Sequence, residues 1–501
     1  MKRFLLLLAV VLLLAFALRV YQLTAVPPGL THDEANHGRE ALGVLDGVYL
    51  FYFPLNYGSE PLYSYTVALS MALFGEGLLA LRLVNVFFGV AAIAVTALWA
   101  MRAFDRPTAL LAAALTAVSF WPLATSRQAL RAGMLPFFMA TAVWFFWQIV
   151  TAPPENARKR WLAAAGFGLS VAFTLHIYLA ARVVWLMFPV FLLYLALTQR
   201  PAFRRAWKPT LAGLILAGLL VTPMFVYLRL HPEALTRLDM LDGPLQALRS
   251  GNLRPIVSNV TSALLAFIWP GYGDQFLAYN IPGRPVFEVV TAVFFLLGLV
   301  ICLRNWRKPA YAFLLIWFAV GILPSLITGA TANTTRNLAA LPAVYLLPAV
   351  GFVGEARWLS GRFGRRLRPF LVGAALLWLL FAGWVSGRDY FVRWAQSPDV
   401  RGAYQVNLVT GLNYLAAETP PPPIVMSTVY PGPAHDSSIA LVLRPHAADD
   451  LHWVDARRAL LWPGGEGGYA LIPTSTPPMP AFSPFLQPVD SQSLRPDDLD
   501  P

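Results

Sequence analysis

The chain has 501 residues, of which 57% are hydrophobic and only 13% charged, with a mean hydropathy of +0.57. Soluble domains carry about a quarter charged residues, so this composition excludes an ordinary soluble enzyme and describes an integral membrane protein. The formal charge of +12 would suggest nucleic acid in a soluble chain, but here the cations gather in alternate loops, the signature of membrane topology.

Apolar stretches long enough to cross ~30 Å of hydrocarbon recur with helical periodicity, which excludes a β-barrel and predicts an all-α polytopic bundle. Eleven spans are expected, over 4–23, 79–101, 108–124, 134–151, 161–178, 182–198, 209–229, 286–303, 310–327, 337–353 and 369–386. The first run, "MKRFLLLLAVVLLLAFALRV", lacks a small-residue cleavage site and reads as an uncleaved span with Lys2 and Arg3 on the cytoplasmic side. The loops that this orientation places inside contain Arg102 and Arg106, then Arg158, Lys159 and Arg160, then Arg200, Arg204, Arg205 and Lys208. The last two inner loops contain Arg304, Arg307 and Lys308, and Arg357, Arg362, Arg365, Arg366 and Arg368. Every inner loop is basic, as the positive-inside rule requires.

Two large segments then face outward, the first outer loop 24–78 and the loop 230–285. Within the first, "PLYSYTVALSMALF" at 61–74 is too short for a comfortable span and predicts an interfacial or re-entrant helix. Residues 1–386 are expected to form the transmembrane domain. Residues 387–475 predict a small extracytoplasmic α+β domain, beginning with a surface helix in "YFVRWAQSPDVRGAYQVNLVTGLNYLAAE" and continuing with strands in "IVMSTVY", "IALVLR" and "ALLWP". Residues 476–501 are Pro-rich and predict a disordered tail. With Cys302 as its one cysteine, the chain forms no internal disulfide.

The stretch "GLTHDEANHGRE", residues 29–40, places six ionisable side chains directly behind the first span. Thr31 and Glu34 have capping-box spacing, and acids in a first helical turn are favoured by the macrodipole. That explains Glu34 but leaves Asp33, and a second acid, Glu60, precedes Pro61 at the far end of the same loop. Glu34 and His37 share a helix face at i, i+3, yet no further ligands of clear spacing accompany them, so no metal or other cofactor is expected.

The run "PPGLTHDEANHGREAL", "GSEPLYSY", "LFGEGLLALRLVNVFFGVAAIAVTALWA" and "SFWPLATSRQALRAGMLPFF" resembles the GT-C membrane glycosyltransferases, in particular family 39, the protein O-mannosyltransferase and aminoarabinose lipid A transferase group. The resemblance is specific over roughly the first 200 residues and weaker in "IYLAARVVWLMFPV" and "TRNLAALPAVYLLPAVG". It implies a GT-C-type helical bundle that moves a sugar from a polyprenyl-phosphate carrier to an acceptor hydroxyl on the extracytoplasmic face, with inversion. Asp33 matches the family's base, with Glu34 in a positioning or capping role and Glu60 as a further acid. The second outer loop of relatives commonly carries another acid, whereas "SRQALRAG" has none, a departure for which Glu60 is the substitute to test.

A leaving phosphate needs fixed cations at the membrane surface. Arg127, Arg131, Arg182 and Arg336 sit in short outer segments, where positive-inside topology does not explain them. His32, His37 and Tyr178 are the candidate substrate-binding groups. The expected partners are a polyprenyl-phosphate-linked sugar, a protein, lipid or glycan acceptor, and membrane lipids, with no nucleic acid. The alternative is a transporter or lipid flippase, which would bury ionisable groups near the midplane. In the spans given above almost all charge lies at the ends.

Overall fold

The computed structural model describes residues 1–234, 250–329, 333–418, 424–433, 435–444, 451–461 and 469–491. Among these, eight helices are long and apolar enough to cross a membrane: Lys2–Val20, Leu78–Ala103, Arg131–Thr151, Ala181–Thr198, Arg200–Leu230, Pro309–Thr328, Leu338–Phe363 and Arg368–Trp394. The other three predicted spans coincide with the helices Arg106–Val118, Ala157–Leu175 and Val289–Arg304. The span expected over 108–124 is broken at Ser119, whose backbone is extended, and a second short helix, Phe120–Thr125, follows. Pro122 is the physical reason, because in a continuous helix its ring would meet the carbonyl four residues back.

The bundle core is aromatic. Trp99 is fully buried and meets Trp147, Phe313 and Trp317 edge-on at ring separations of 5.6–5.9 Å, the geometry favoured by the ring quadrupoles. Val289–Arg304 and Leu341–Phe363 approach at backbone contact, so that a Cβ on Gly298 would stand 1.9 Å from the Leu347 carbonyl oxygen, and one on Gly351 2.1 Å from that of Phe294. Small residues at a helix crossing permit this approach. The helix Arg368–Gly387 turns Phe370, Leu377, Leu380 and Trp384 outward, as a lipid-facing helix does.

On one end of the bundle lies the polar helix His32–Leu45, then the 13-residue apolar helix Leu62–Phe74, packed between it and Leu78–Ala103. At ~1.5 Å rise per residue the middle helix is about 20 Å long, too short to cross, as its sequence suggested. Of the second large outer segment, 235–249 lie outside the described residues, while Arg254–Leu265 is helical and residues 269–285 form a Gly- and Pro-rich loop.

The tail differs from its expectation in several places. No separate surface helix starts at Tyr390: the helix from Arg368 runs on through a π-helical turn, Arg388–Trp394, whose Tyr390 and Trp394 are buried. Shorter helices, Pro398–Ala403 and Val406–Glu418, follow. The sheet is parallel, with β1 (Ile424–Ser427) between β2 (Leu451–Val454) and β3 (Tyr469–Leu471), Ile424 standing opposite both Leu451 and Tyr469. "IALVLR" is therefore not a strand but part of the helix Asp436–Leu443, because parallel neighbours need a crossover rather than a hairpin. "ALLWP" is not a strand over its described part, 459–461. The segment expected to be disordered folds back as far as residue 491: Thr476 is buried, and the Met479 amide donates to the Ala456 carbonyl at 3.0 Å. Residues 492–501 lie outside the described residues.

The tail rests on the first outer loop. His32–Leu45 packs against Asp436–Leu443, and a Cβ on Gly38 would lie 2.5 Å from a methyl of Val442.

Candidate active site

The helix that starts behind the first span is capped as its sequence predicts. The Thr31 hydroxyl accepts from the Glu34 amide at 3.2 Å, and Glu34 Oε2 accepts from the Thr31 amide at 3.2 Å. Glu34 does more than cap. Arg82 grips both its oxygens, Nε to Oε1 at 3.2 Å and Nη2 to Oε2 at 3.3 Å, and the Ala129 amide donates to Oε1 at 2.8 Å. The remaining Arg82 protons go to the carbonyls of Leu23, Pro27 and Gly29. All five guanidinium donors are spent and both groups are buried, so Glu34 is a structural anchor with no capacity left for substrate.

Asp33, its neighbour, is opposite in character. Its carboxylate is half-buried and has no hydrogen-bond or ion-pair partner among the described residues. The first helical turn suits its charge. Its backbone carbonyl accepts from Asn56 Nδ2 at 3.0 Å, and Asn56 in turn accepts from Asn36 at 2.9 Å. Asn56, Tyr57 and Gly58 are three consecutive left-handed residues, with φ of 55°, 58° and 92°. Such backbone costs free energy at Tyr57, and it persists where surrounding structure enforces it.

That turn leads to Glu60, which draws together three predicted residues. Glu60 is 1% exposed; Arg131 Nε lies 3.7 Å from one of its oxygens and Arg182 Nη2 3.5 Å from the other. Arg131 also donates to the Gly58 carbonyl at 2.9 Å and lies 5.7 Å from the centre of the Tyr178 ring, while Arg182 lies 5.1 Å from that of Phe225. Two guanidiniums on one carboxylate leave a net positive charge. The contacts are loose, and Arg131 Nη2 and Arg182 Nε have no hydrogen-bond partner. Asn56, which holds the Asp33 carbonyl, and Glu60 are four residues apart, so their Cα atoms lie within roughly 14 Å of each other even along an extended chain.

Arg336 enters from a third segment. Its short helix, Asn333–Arg336, packs on the Arg131–Met134 turn, and the preceding helix Leu323–Thr328 packs on Ala181–Val184, which carries Arg182. One Arg336 nitrogen donates to the Thr328 hydroxyl at 2.6 Å; Nε and Nη2 have no partner among the described residues.

Three other predicted residues have different duties. Arg127 is not a free cation: fully buried, it donates to the carbonyls of Leu18, Arg19, Gln22 and Val26 at 2.7–3.3 Å, satisfying the end of the first helix. His37 is not open to substrate, being 2% exposed and 3.1 Å from Glu40, which also accepts from Ser64 at 2.5 Å. His32 Nε2 is 2.8 Å from Asp436 in the tail. Glu34 and His37, engaged with Arg82 and Glu40, do not converge on a common point, and no cluster of three metal-ligating side chains occurs among the described residues.

Several residues that position the site have no signal of their own in the sequence. Asn85 donates to the Gln128 and Leu130 carbonyls at 2.6 and 2.7 Å, fixing the loop that carries Arg131. Asp274 accepts from the Thr334 amide at 3.0 Å and from its hydroxyl at 2.5 Å, holding the turn that carries Arg336. Asn56 alone could have been noticed, since Asn-Tyr-Gly favours a left-handed turn.

Residues 58–227, which include Glu60, Arg82, Arg131, Tyr178 and Arg182 but not Asp33, match the family model described as dolichyl-phosphate-mannose-protein mannosyltransferase. The structure of ArnT from Cupriavidus metallidurans bound to undecaprenyl phosphate superposes with a TM-score of 0.55 at 15% identity, over 96% of this chain and 95% of that one. This is the fold of the GT-C membrane glycosyltransferases. A second GT-C structure, the oligosaccharyltransferase AglB from Archaeoglobus fulgidus in complex with an inhibitory peptide and a dolichol-phosphate, matches with a TM-score of 0.53 at 16% identity over 88% of this chain. The chain spans 63% of the length of that oligosaccharyltransferase. No curated protein sequence matches it. The Asp33 and Glu60 clusters lie at the end of the bundle that carries the helices His32–Leu45 and Leu62–Phe74.

Proposed function

We propose that the chain transfers a sugar from a polyprenyl-phosphate carrier to an acceptor hydroxyl at the extracytoplasmic membrane surface, with inversion at the anomeric carbon. The observation that carries this reading is the contrast between two carboxylate–arginine clusters. Glu34 and Arg82 are saturated, whereas Glu60, Arg131 and Arg182 keep unspent N–H groups and a net positive charge, the properties of a socket for a phosphate. The undecaprenyl phosphate in the ArnT structure, and the dolichol-phosphate in AglB, support a lipid phosphate as that ligand.

In the proposed reaction the acceptor oxygen forms a bond to the anomeric carbon as the bond from that carbon to the phosphate oxygen breaks. The electron pair goes to the phosphate, held by Arg131 and Arg182 with Arg336 beside them. The acceptor proton goes to Asp33, which has no competing partner among the described residues. Glu60 keeps the two arginines from repelling one another while leaving donors for the phosphate, and Tyr178 stacks on Arg131. With the basic inner loops in the cytoplasm, all of these groups face outward.

The test is release of free carrier phosphate from a panel of labelled polyprenyl-phosphate sugars, using membranes that contain the protein and a crude acceptor extract. Release above that of membranes lacking the protein supports the transferase and identifies its sugar. Unchanged donors throughout, with the carrier bound, would favour a flippase.

A further inference from the structure

The tail domain contains a cavity of about 260 Å³ that the reaction above does not use. It lies where chain topology opens a crevice in a parallel sheet. The connection leaving β1 goes to β2 on one side, and the chain returns as β3 on the other, so the carboxyl ends of β1 and β3 part. The end of β1 and the residues after it, Ser427 to Tyr430, line it with Pro473, Ser475 and Thr476 beyond β3, and Gln405, between two helices, and Asp436 close it.

Its lining holds one cation, Arg401, one anion, Asp436, and several neutral polar groups. Asp436 is committed to His32 and to the Thr428 hydroxyl, and Arg401 has a partner of its own. What is left is the Gln405 amide, the Tyr430 and Ser475 hydroxyls and the Thr476 hydroxyl, which is buried without a hydrogen-bond partner. Gln405 also has a left-handed backbone, φ 49°, a conformation that disfavours side chains and is kept here at the cavity wall. A half-exposed aromatic face, Tyr430, stands beside these groups, against His32 and His435. Hydroxyls and an amide around one aromatic ring suit a polyhydroxyl ligand, since each can both donate and accept.

Two bonds set the cavity beside the polar helix. The Leu30 amide donates to the carbonyl of Tyr404, the residue before Gln405, at 2.8 Å, and His32, which precedes Asp33, holds Asp436 in the cavity wall. Leu30 and Asp33 are three residues apart, so their Cα atoms lie within roughly 11 Å of each other.

We propose that the cavity is an acceptor subsite for a neutral sugar residue, which would make the acceptor a glycan or glycoconjugate. This assignment rests on the transferase reading.

The experiment is saturation-transfer NMR on the full chain in detergent with methyl α-mannoside, methyl β-glucoside, methyl β-galactoside and N-acetylglucosamine, alongside undecaprenyl phosphate binding on the same preparations. The subsite predicts binding of at least one hexoside, weakened tenfold or more by Gln405→Gly and by Ser475→Ala, with carrier binding unchanged. Gln405→Gly removes the amide while relieving the left-handed strain, so a loss of binding in a variant at least as heat-stable as wild type is not misfolding. Carrier binding without any hexoside binding, or hexoside binding indifferent to both variants, overturns the subsite alone. Absence of carrier binding in the wild type overturns the transferase reading, and the subsite with it.

Discussion

Arg82 Nε lies 3.2 Å from Glu34 Oε1 and Arg82 Nη2 3.3 Å from Glu34 Oε2, and neither residue is more than 1% exposed. Breaking a buried pair by neutralising one member leaves the other charge uncompensated, at a cost of about 3–5 kcal/mol. Glu34→Gln is therefore expected to lower the thermal midpoint in detergent and to reduce folded yield. A variant with wild-type stability would show that Arg82 does not depend on Glu34.

Arg127 and Arg182 separate in the same way. Arg127→Ala removes four charge-assisted bonds, two to the end of the first helix and two to the turn after it, and should destabilise by at least about 3 kcal/mol, whatever the carrier concentration. Arg182→Ala should leave the melting curve near wild type yet weaken undecaprenyl phosphate binding by roughly tenfold or more, since a charged hydrogen bond contributes about 1.5–3 kcal/mol. Parallel stability and binding measurements on the two variants check this, and equal effects would remove the distinction between anchor and socket.

The run of apolar spans was legible because a membrane helix must satisfy its own backbone, which leaves a long unbroken apolar signal. The Thr31–Glu34 cap was legible because capping is local. What the residues could not disclose is who holds them. Arg127 and Arg131, in one short loop, look alike in sequence; only the fold sends one to the carbonyls of the first helix and the other to Glu60. His37 looked available until Glu40, Ser64 and Tyr63 closed around it. "IALVLR" has the composition of a strand, and the decision in favour of a helix came from the parallel pairing of distant strands.

The tail is fastened to the first loop by His32 and Asp436, 2.8 Å apart. Asp436→Asn weakens that tie and also disturbs Thr428. Limited proteolysis should cut the tail faster in this variant than in wild type, while the transmembrane fragment survives. Identical digestion rates would mean that the Gly38–Val442 packing suffices to hold the domain.

The Gly298–Gly351 crossing is intolerant of side chains. Gly351→Leu must displace the Phe294 carbonyl, which a Cβ would approach to 2.1 Å, and overpacking of this kind costs about 1–3 kcal/mol or more. The expected outcome is aggregation or a lowered midpoint on size-exclusion chromatography and heating; a monodisperse, fully stable variant would require the two helices to separate freely.

The most direct measurement is turnover of the Asp33→Asn variant beside wild type, reading release of carrier phosphate and, separately, binding of undecaprenyl phosphate. Asp33 has no partner among the described residues, so the amide should fold as wild type does and bind the carrier equally, while kcat falls by 100-fold or more, on the order of the effect of a general base. Full turnover by the variant would contradict Asp33 as the base, and lost carrier binding would reassign it to the phosphate site.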